Sequence, residues 1–490
     1  MSDNITLAPR DAAWREELRK ALSAKERAAI ARVKMPEFDP EYRVHCNEEV
    51  NQGLTFDMAQ QEATRCLDCP TPTCMEGCPV SINIPGFIKN IQRGEVIEAA
   101  EVLKATSALP AVCGRVCPQE KQCESRCIYH KMKKEPVAIG YLERFAADYA
   151  NDHADQVPAP VPAPSKGKKV AVVGSGPAGL SFAGDMIKRG FGVTVFEALH
   201  EIGGVLKYGI PEFRLPNTVV ETEIDGLRRL GVVFEKDTVV GKTLSIDDLE
   251  QQGFAAIFVA SGAGLPRFMG IPGENLNGVM SSNEYLTRVN LMGAGRDGCD
   301  TPVLRGNNVM VIGGGNTAMD SVRTARRQGA ENASIVYRRS REEMPARAEE
   351  VHHAGQEGVH FLTLHNPVEY LGDDKGRVRA VRLQRMALGE PDESGRRSPV
   401  PIEGDIVEMP ADLVIVSVGV SPNPLVPNSV DGLDVSRRGT IVVNGDTMQS
   451  SIPAIYAGGD IVRGGATVIL AMGDGRRAAA AVAQALESQD

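Results

Sequence analysis

The chain has 490 residues, of which 42% are hydrophobic and 5% aromatic, with 50 glycines and a formal net charge of −10. It is longer than one hydrophobic core usually grows, so two to four domains are expected. The composition excludes wholesale disorder and a coiled coil and fits α/β units with many tight strand-to-helix turns. No long basic run is present, and no stretch supplies the roughly 18 uninterrupted apolar residues of a membrane span, so neither nucleic acid nor membrane is expected as a partner. The opening residues mix charges and lack the apolar core of a signal peptide, which points to a cytoplasmic protein.

Residues 1–150 lack a strand–helix–strand rhythm and read as helical over Ile82 to Leu103 and Gly140 to Tyr149, and eight of the ten cysteines of the chain fall between Cys66 and Cys127. These form two runs, C-x2-C-x4-C-x3-C-P (Cys66, Cys69, Cys74, Cys78) and C-x3-C-P-x4-C-x3-C (Cys113, Cys117, Cys123, Cys127). In a reducing compartment such clustering argues for metal rather than disulfides. Structural zinc sites use separated knuckles, whereas three close cysteines and a Cys-Pro step match ferredoxin runs, so iron–sulfur clusters are favoured over zinc.

A Pro- and Ala-rich linker follows over 151–168. The pattern then becomes apolar strand, glycine turn, helix, strand (KKVAVVGSGPAGLSFAGDMIKRG, then FGVTVFEA), and it recurs from Asn308 (NVMVIGGGNTAMDSVRTARRQGA, then SIVYRRS). Two such units imply two dinucleotide-binding domains. From Ala411 the chain returns to short strands (DLVIVSVGV, TIVVN, AIYAGGD) before a helix beginning near Ala466. The expected fold is α/β: a helical domain over 1–150, then a Rossmann-like domain over 169–287 and 409–490 interrupted by a second over 288–408.

In the first unit Gly174, Gly176 and Gly179 form G-x-G-x-x-G, with Pro177 and Ala178 inside the motif. These glycines permit a tight turn and let the backbone approach a pyrophosphate, whose charge a helix N-terminus stabilises. Glu197 ends the next strand, where a carboxylate can accept from a ribose hydroxyl. In the second unit Gly313, Gly315 and Ala318 form the G-x-G-x-x-A variant, with Gly314, Asn316 and Thr317 beside them. Its next strand ends not in an acid but in Tyr337, Arg338, Arg339, Ser340, Arg341. Guanidinium groups at Arg338 and Arg339 favour a 2′-phosphate, hence NADPH over NADH.

With EIGGVLKYGIPEFRLP from Glu201, YAGGD ending at Asp460 and GGATVILAMGDG from Gly464, the sequence resembles the two-dinucleotide-domain flavoproteins, a group that includes the glutathione and thioredoxin reductases. The resemblance implies FAD in the first site, with Gly204, Val205, Arg214, Gly262 and Gly459 joining the motif residues. It also implies Asp460 on the ribityl chain and the helix start at Ala466 and Thr467 aimed at the isoalloxazine. A positive helix end there stabilises negative charge on the ring. No C-x-x-C pair accompanies the flavin site, and Cys299 is isolated in a glycine-rich loop, so electrons are expected to leave through the N-terminal cysteines.

From about Cys46 onward, and most closely in CGRVCPQEKQCESRC and EPVAIGYLERF, the chain is similar to the glutamate synthase small-subunit family of iron–sulfur flavoproteins. Its relatives include the large subunit of NADH-dependent ferredoxin:NADP oxidoreductase and the N-terminal half of dihydropyrimidine dehydrogenase. This resemblance implies two [4Fe-4S] clusters, one on Cys66, Cys69, Cys74 and Cys127, the other on Cys78, Cys117, Cys123 and Glu143. An all-cysteine site with Cys113 in place of Glu143 stays open. The implied activity is hydride transfer between NADPH and FAD, which needs no catalytic acid or base, with electrons relayed to a protein partner. That partner is either a glutamate synthase large subunit or, in a bifurcating enzyme, a smaller flavoprotein working with ferredoxin. A non-catalytic electron-transfer or assembly module is the competing reading from another class, and intact glycine motifs argue against it.

Overall fold

The computed structural model describes residues 7–159, 161–393 and 395–488; Pro160 of the expected linker lies outside them. Its first part is helical: α1 (Ala13–Ala21), α2 (Phe56–Arg65), α3 (Ile84–Gln92), α4 (Val96–Lys104), α5 (Pro110–Val116) and α6 (Ile139–Asp152). The continuous helix expected over 82 to 103 is two helices. Gly94 takes φ +90°, which a residue with a Cβ resists, and the chain turns there so that α3 packs on α4.

The α/β part follows in two runs. Strands β1 (Lys169–Val173), β2 (Gly192–Phe196), β3 (Val233–Glu235) and β4 (Phe254–Val259) accompany helices α7 (Pro177–Lys188) and α8 (Asn217–Arg229). Strands β5 (Val279–Ser281), β6 (Asn308–Ile312), β7 (Asn332–Tyr337) and β8 (His360–Thr363) accompany α9 (Asn316–Arg327) and α10 (Ala348–Gln356). An antiparallel meander of β9 (His365–Gly372), β10 (Val378–Pro391) and β11 (Arg397–Pro410) leads to β12 (Leu413–Val416), β13 (Ile455–Ala457) and the closing helix α11 (Val468–Glu487).

Two parallel sheets result, ordered β3-β2-β1-β4-β13 and β8-β7-β6-β12-β5. The second unit is thus inserted in the first. β1 and β6 read as continuous apolar runs because both faces of a parallel strand are covered by helices. In each sheet the glycine turn follows the strand at which the strand order reverses, the crevice where open α/β sheets bind ligands.

The sheets move the expected boundaries at 287/288 and 408/409. Val279 to Ser281 pair with Val414 to Val416, so the inserted unit begins earlier and ends later than 288–408. Three-residue β5 has too short a pattern to announce itself. TIVVN forms no strand; Ile441 makes only an isolated bridge to Val435. Among the described residues no helix is long and apolar enough to cross a membrane.

Buried charge fastens the inserted unit to the rest. Glu357, after α10, accepts from Arg323 at 2.8 Å and Arg327 at 2.8 Å on α9, and from Arg43 of the N-terminal part at 3.0 Å. Arg214, in the loop before α8, donates to Asp320 at 2.9 Å and lies 3.2 Å from Glu350. Burial works to raise the Glu357 carboxyl, but the arginines overcome it and hold it well below the usual range. Its unfolded value is about 4.3, so this stabilisation is fully present above that pH and drains away as pH falls from there toward the depressed folded value.

Glu357→Gln leaves three guanidinium groups short of their counter-charge. It should cost about 3–5 kcal/mol, read as a lowered unfolding midpoint at neutral pH, with the gap to the parent chain narrowing under acid.

Candidate functional site

Two cavities open at the two glycine turns. The larger, about 1230 Å³, runs along the first sheet's carboxyl edge and is lined by every first-site residue expected from the sequence except Gly179. Gly174 has φ +104°, and a Cβ there would stand 2.5 Å from the Ala260 carbonyl oxygen. Gly179 faces inward, where a Cβ would meet the Gly174 carbonyl oxygen at 2.1 Å, so its role is helix–strand contact. A Cβ on Gly176 would meet nothing within 4 Å. That open space lies at the start of α7, where the helix N-terminus presents free N–H groups of the kind that can receive an anionic group.

Glu197 is buried and already engaged: its carboxylate accepts from the backbone N–H of Ser175 at 2.9 Å and of Leu199 at 2.9 Å, and from the Ser175 hydroxyl. The Ser175 Oγ in turn accepts from Gly203 N–H at 2.9 Å. Ser175 therefore ties motif, acid and the GGVLKY loop together, a role its position as a variable residue of the motif gave no sign of. Arg214 lines the cavity, but its guanidinium is neutralised by Asp320 and Glu350, which makes it a seam residue first.

At the far end Asp460 opens a short helical turn (Asp460–Arg463) and accepts from the Ala466 backbone N–H. Burial pushes its carboxyl up to about 6. The Thr467 hydroxyl caps α11 by accepting from Leu470 N–H at 3.3 Å, so the start of that long helix, with Ala466 and Thr467, faces the cavity. The cavity offers an open helix N-terminus after β1, a buried acid at the end of β2 and a second helix start opposite, a set of groups that fits a dinucleotide.

The second cavity, about 420 Å³, is lined by Gly313, Gly314, Gly315, Thr317, Arg338 and Arg339 among others. Asn316 instead faces the larger cavity, which Thr317 also reaches, and its Oδ1 accepts from Arg347 N–H at 2.9 Å. A Cβ on Gly313 would stand 2.2 Å from the Ser417 carbonyl oxygen, and one on Gly315 would meet only open space, repeating the first site's division of labour. The arginines differ. Arg338 is exposed, whereas Arg339 is buried, ion-paired with Asp392 and donating to the Arg397 carbonyl at 2.8 Å.

The cysteines gather as two groups. Cys69 and Cys74 lie in electrostatic reach of Cys66 and Cys127, and these four are half-buried. Burial, then those neighbours, push the Cys69 thiol up to about 11. Cys117 and Cys123 are buried; Cys123 has Cys78 and Glu143 within the same reach and Cys117 has Cys113, Glu143 and Cys123, and burial first, then Glu143 among others, pushes Cys78 up to about 12. Around one zinc ion four sulfurs would crowd to about 3.8 Å of one another. Among the described residues only Glu37, Glu349 and His353 bring three ligand atoms within 4.8 Å, and there His353 Nε2 simply faces Glu37 at 3.2 Å. The wider thiol spacing suits a cluster whose ligands sit on separate irons.

Glu143 and Cys113 both adjoin the buried group. Glu143 Oε1 is buried without a hydrogen-bond partner, and burial, then Glu223, pushes the carboxyl up to about 8. An orphaned carboxylate oxygen among thiols has the chemistry of a metal ligand. Cys113 Sγ lies 3.5 Å from Met472 Sδ of α11.

Residues 43–155 match the family described as dihydropyrimidine dehydrogenase domain II, 4Fe-4S cluster, and residues 168–485 that described as pyridine nucleotide-disulphide oxidoreductase. The chain is 38% identical to the glutamate synthase [NADPH] small chain of Azospirillum brasilense over 437 residues, 88% of this chain and 90% of that one. It is 39% identical over 439 residues to the NADP(+)-dependent formate dehydrogenase subunit beta of Moorella thermoacetica, covering 85% of this chain but 60% of that longer one. In fold it resembles Mycobacterium tuberculosis FprA in complex with NADPH, with a TM-score of 0.54 at 21% identity over 67% of this chain and 86% of that chain.

Gly176→Val should fill the open space at the start of α7 yet leave the unfolding midpoint of the dinucleotide-free protein nearly unchanged, while the purified variant loses its bound dinucleotide. Gly179→Ala should instead cost about 1–3 kcal/mol of stability through overpacking, measured by thermal unfolding.

Proposed function

Since the chain belongs to the glutamate synthase small-chain family of pyridine nucleotide-disulphide oxidoreductases, we propose that it is the electron-input subunit of a larger enzyme, an NADPH-dependent iron–sulfur flavoprotein. When bound, FAD would exchange hydride with NADPH and the [4Fe-4S] clusters would carry single electrons onward. The protein's own part is to bind, orient and exclude water, and no side-chain acid or base is required for the transfer.

The observation that carries this reading is a shared wall. Val116, which lines the larger cavity, is the residue before Cys117. On the other side of the seam Gly473 of α11 packs on Pro79, the residue after Cys78. These contacts support Cys78, Cys117, Cys123 and Glu143 as ligands of an inner cluster beside the flavin. The half-buried set Cys66, Cys69, Cys74 and Cys127 would hold an outer cluster nearer solvent, from which electrons leave. The first cavity's Gly174, Gly176, Pro177 and Ala178 would cradle the FAD pyrophosphate, with Glu197 toward the ribose and Asp460 toward the ribityl chain. The N-terminus of α11 would stabilise negative charge on the ring. Gly313, Gly314 and Gly315 would receive NADPH, with Arg338 at the 2′-phosphate.

The acceptor is set by the partner. Relatives named as a small chain of glutamate synthase and as a beta subunit of formate dehydrogenase carry the same module. That three of the similar relatives are named as glutamate synthase small chains supports a glutamate synthase large chain as partner. A bifurcating assembly would copurify with a smaller flavoprotein instead.

Anaerobically purified protein should contain FAD and about eight irons per chain, and its flavin absorbance should bleach with NADPH much faster than with NADH. Zinc without iron, or a flavin indifferent to both nucleotides, would overturn the proposal. Glu143→Ala should lower the iron count by about half, toward one cluster, while Cys113→Ala keeps it; the reverse result would move the fourth ligand to Cys113.

A further inference from the structure

The helical part carries a charge imbalance that its ion pairs do not account for. Around the half-buried cysteine set most cations are answered by a carboxylate: Arg65 by Glu62, Arg32 by Glu124 at 2.9 Å, and Arg15 and Arg19 together by Asp68, the residue before Cys69. Two are not. Lys89 of α3 is fully buried, and its Nζ donates to the Cys66 carbonyl at 2.5 Å and to Gln92 Oε1 at 2.7 Å. Arg27, also buried, donates to the Leu18 carbonyl, to those of Leu22 at 3.3 Å and Thr64 at 2.6 Å, and to the same Gln92 Oε1 at 3.3 Å.

Every partner of these two cations is a neutral oxygen, and among the described residues neither forms an ion pair. One amide oxygen stands between them, at the place where a glutamate of nearly the same shape would neutralise both. Burying a charge without an opposite charge is costly, so the arrangement calls for an anion. Burial draws Lys89 and Arg27 below their ordinary values, and in each the first charge working against it is the Cys66 thiolate. A cubane held by four thiolates is a net anion whether oxidised or reduced, and its potential follows net charge and the hydrogen bonds around it.

We propose that Lys89, backed by Arg27, is the built-in counter-charge of the outer cluster, a positioning residue that holds the Cys66 loop by its carbonyl and raises the cluster's reduction potential by its charge. This rests on the reading of Cys66, Cys69, Cys74 and Cys127 as that cluster's ligands. Reduction adds one electron and makes or breaks no bond, and the added negative charge meets cations already in place. An electron therefore gains by moving onto the outer set, the end from which it leaves. Gln92 contributes by being neutral: it separates the two cations without spending their charge.

Anaerobic redox titration of the full holoprotein, followed by the magnetic resonance signals of its iron, compares the parent chain with Lys89→Met and Gln92→Glu. Lys89→Met removes the charge and keeps an apolar stem; Gln92→Glu keeps the shape and neutralises the cations. Each should lower the potential of one of the two clusters, shifting its oxidised-to-reduced equilibrium roughly tenfold, or about 59 mV for one electron. The other cluster should move far less, and NADPH should bleach the flavin at the parent rate. In iron-free protein Gln92→Glu should raise the unfolding midpoint, because two buried cations gain a carboxylate, so a lowered potential in that variant cannot be read as a weakened fold. Should Lys89→Met fail to take up iron, Gln92→Glu decides alone. Potentials unmoved in Gln92→Glu would overturn the inference and leave the electron relay standing. A Cys69→Ala variant with the parent's full iron count would overturn the ligand assignment beneath it.

Discussion

Gly473 presses so closely on the N-terminal part that a Cβ there would stand 2.9 Å from the Pro79 carbonyl oxygen. This contact seats the cysteine layer on α11, the helix whose start faces the larger cavity. One residue before Gly473, Met472 meets Cys113, and from the other side Val116 reaches the cavity wall itself. The buried apolar residues of the helical part and of the first sheet form one continuous core, so the two parts cannot slide without unpacking it. Electron transfer between a flavin and a cluster demands a short, fixed separation, and it is this packing that would supply it.

The inserted unit is held by different physics. Its own core is separate, and its attachment is a buried lattice of Arg43, Arg214, Arg323 and Arg327 with Asp320, Glu350 and Glu357. Ion pairs taken out of water gain little net stability, since desolvation offsets most of the Coulomb attraction, but they are costly to misalign. Such a lattice fixes orientation. Asn316 and Thr317 of the inserted unit line the larger cavity, so the lattice also sets how the second nucleotide site faces the first. Asp320 is pulled both ways: burial and the adjacent Glu350 carboxylate push its carboxyl above the usual range while Arg214 draws it down.

The strand–glycine–helix units and their nesting were legible in the sequence because each rests on a local pattern with a physical reason, whereas the sorting of the two cysteine runs into interleaved groups followed only from the family resemblance. Gly174, Gly176 and Gly179 mark a turn, an open cradle and a close packing, and their spacing alone implies all three. What was hidden is non-local. No spacing reveals that Arg339 is spent on Asp392, some fifty positions away, or that Arg214 answers to Asp320 and Glu350 more than to the cavity. Ser175 occupies a variable position of its motif, and β5 is too short to carry a period. The helix expected over 82 to 103 fails at Gly94, whose φ of +90° breaks an otherwise helical pattern.

If the larger cavity and the inner cysteine group form one electron path, flavin reduction must pass on to iron within the isolated chain. Rapid-freeze magnetic resonance of the anaerobic holoprotein, mixed with NADPH and quenched at intervals, tests it most directly. Reduced iron–sulfur signals should rise on the timescale of flavin bleaching in the isolated chain, and slow when Val116 is replaced by a bulkier residue that wedges the shared wall open. Flavin that reduces fully while the iron signals stay absent through many turnovers would contradict it.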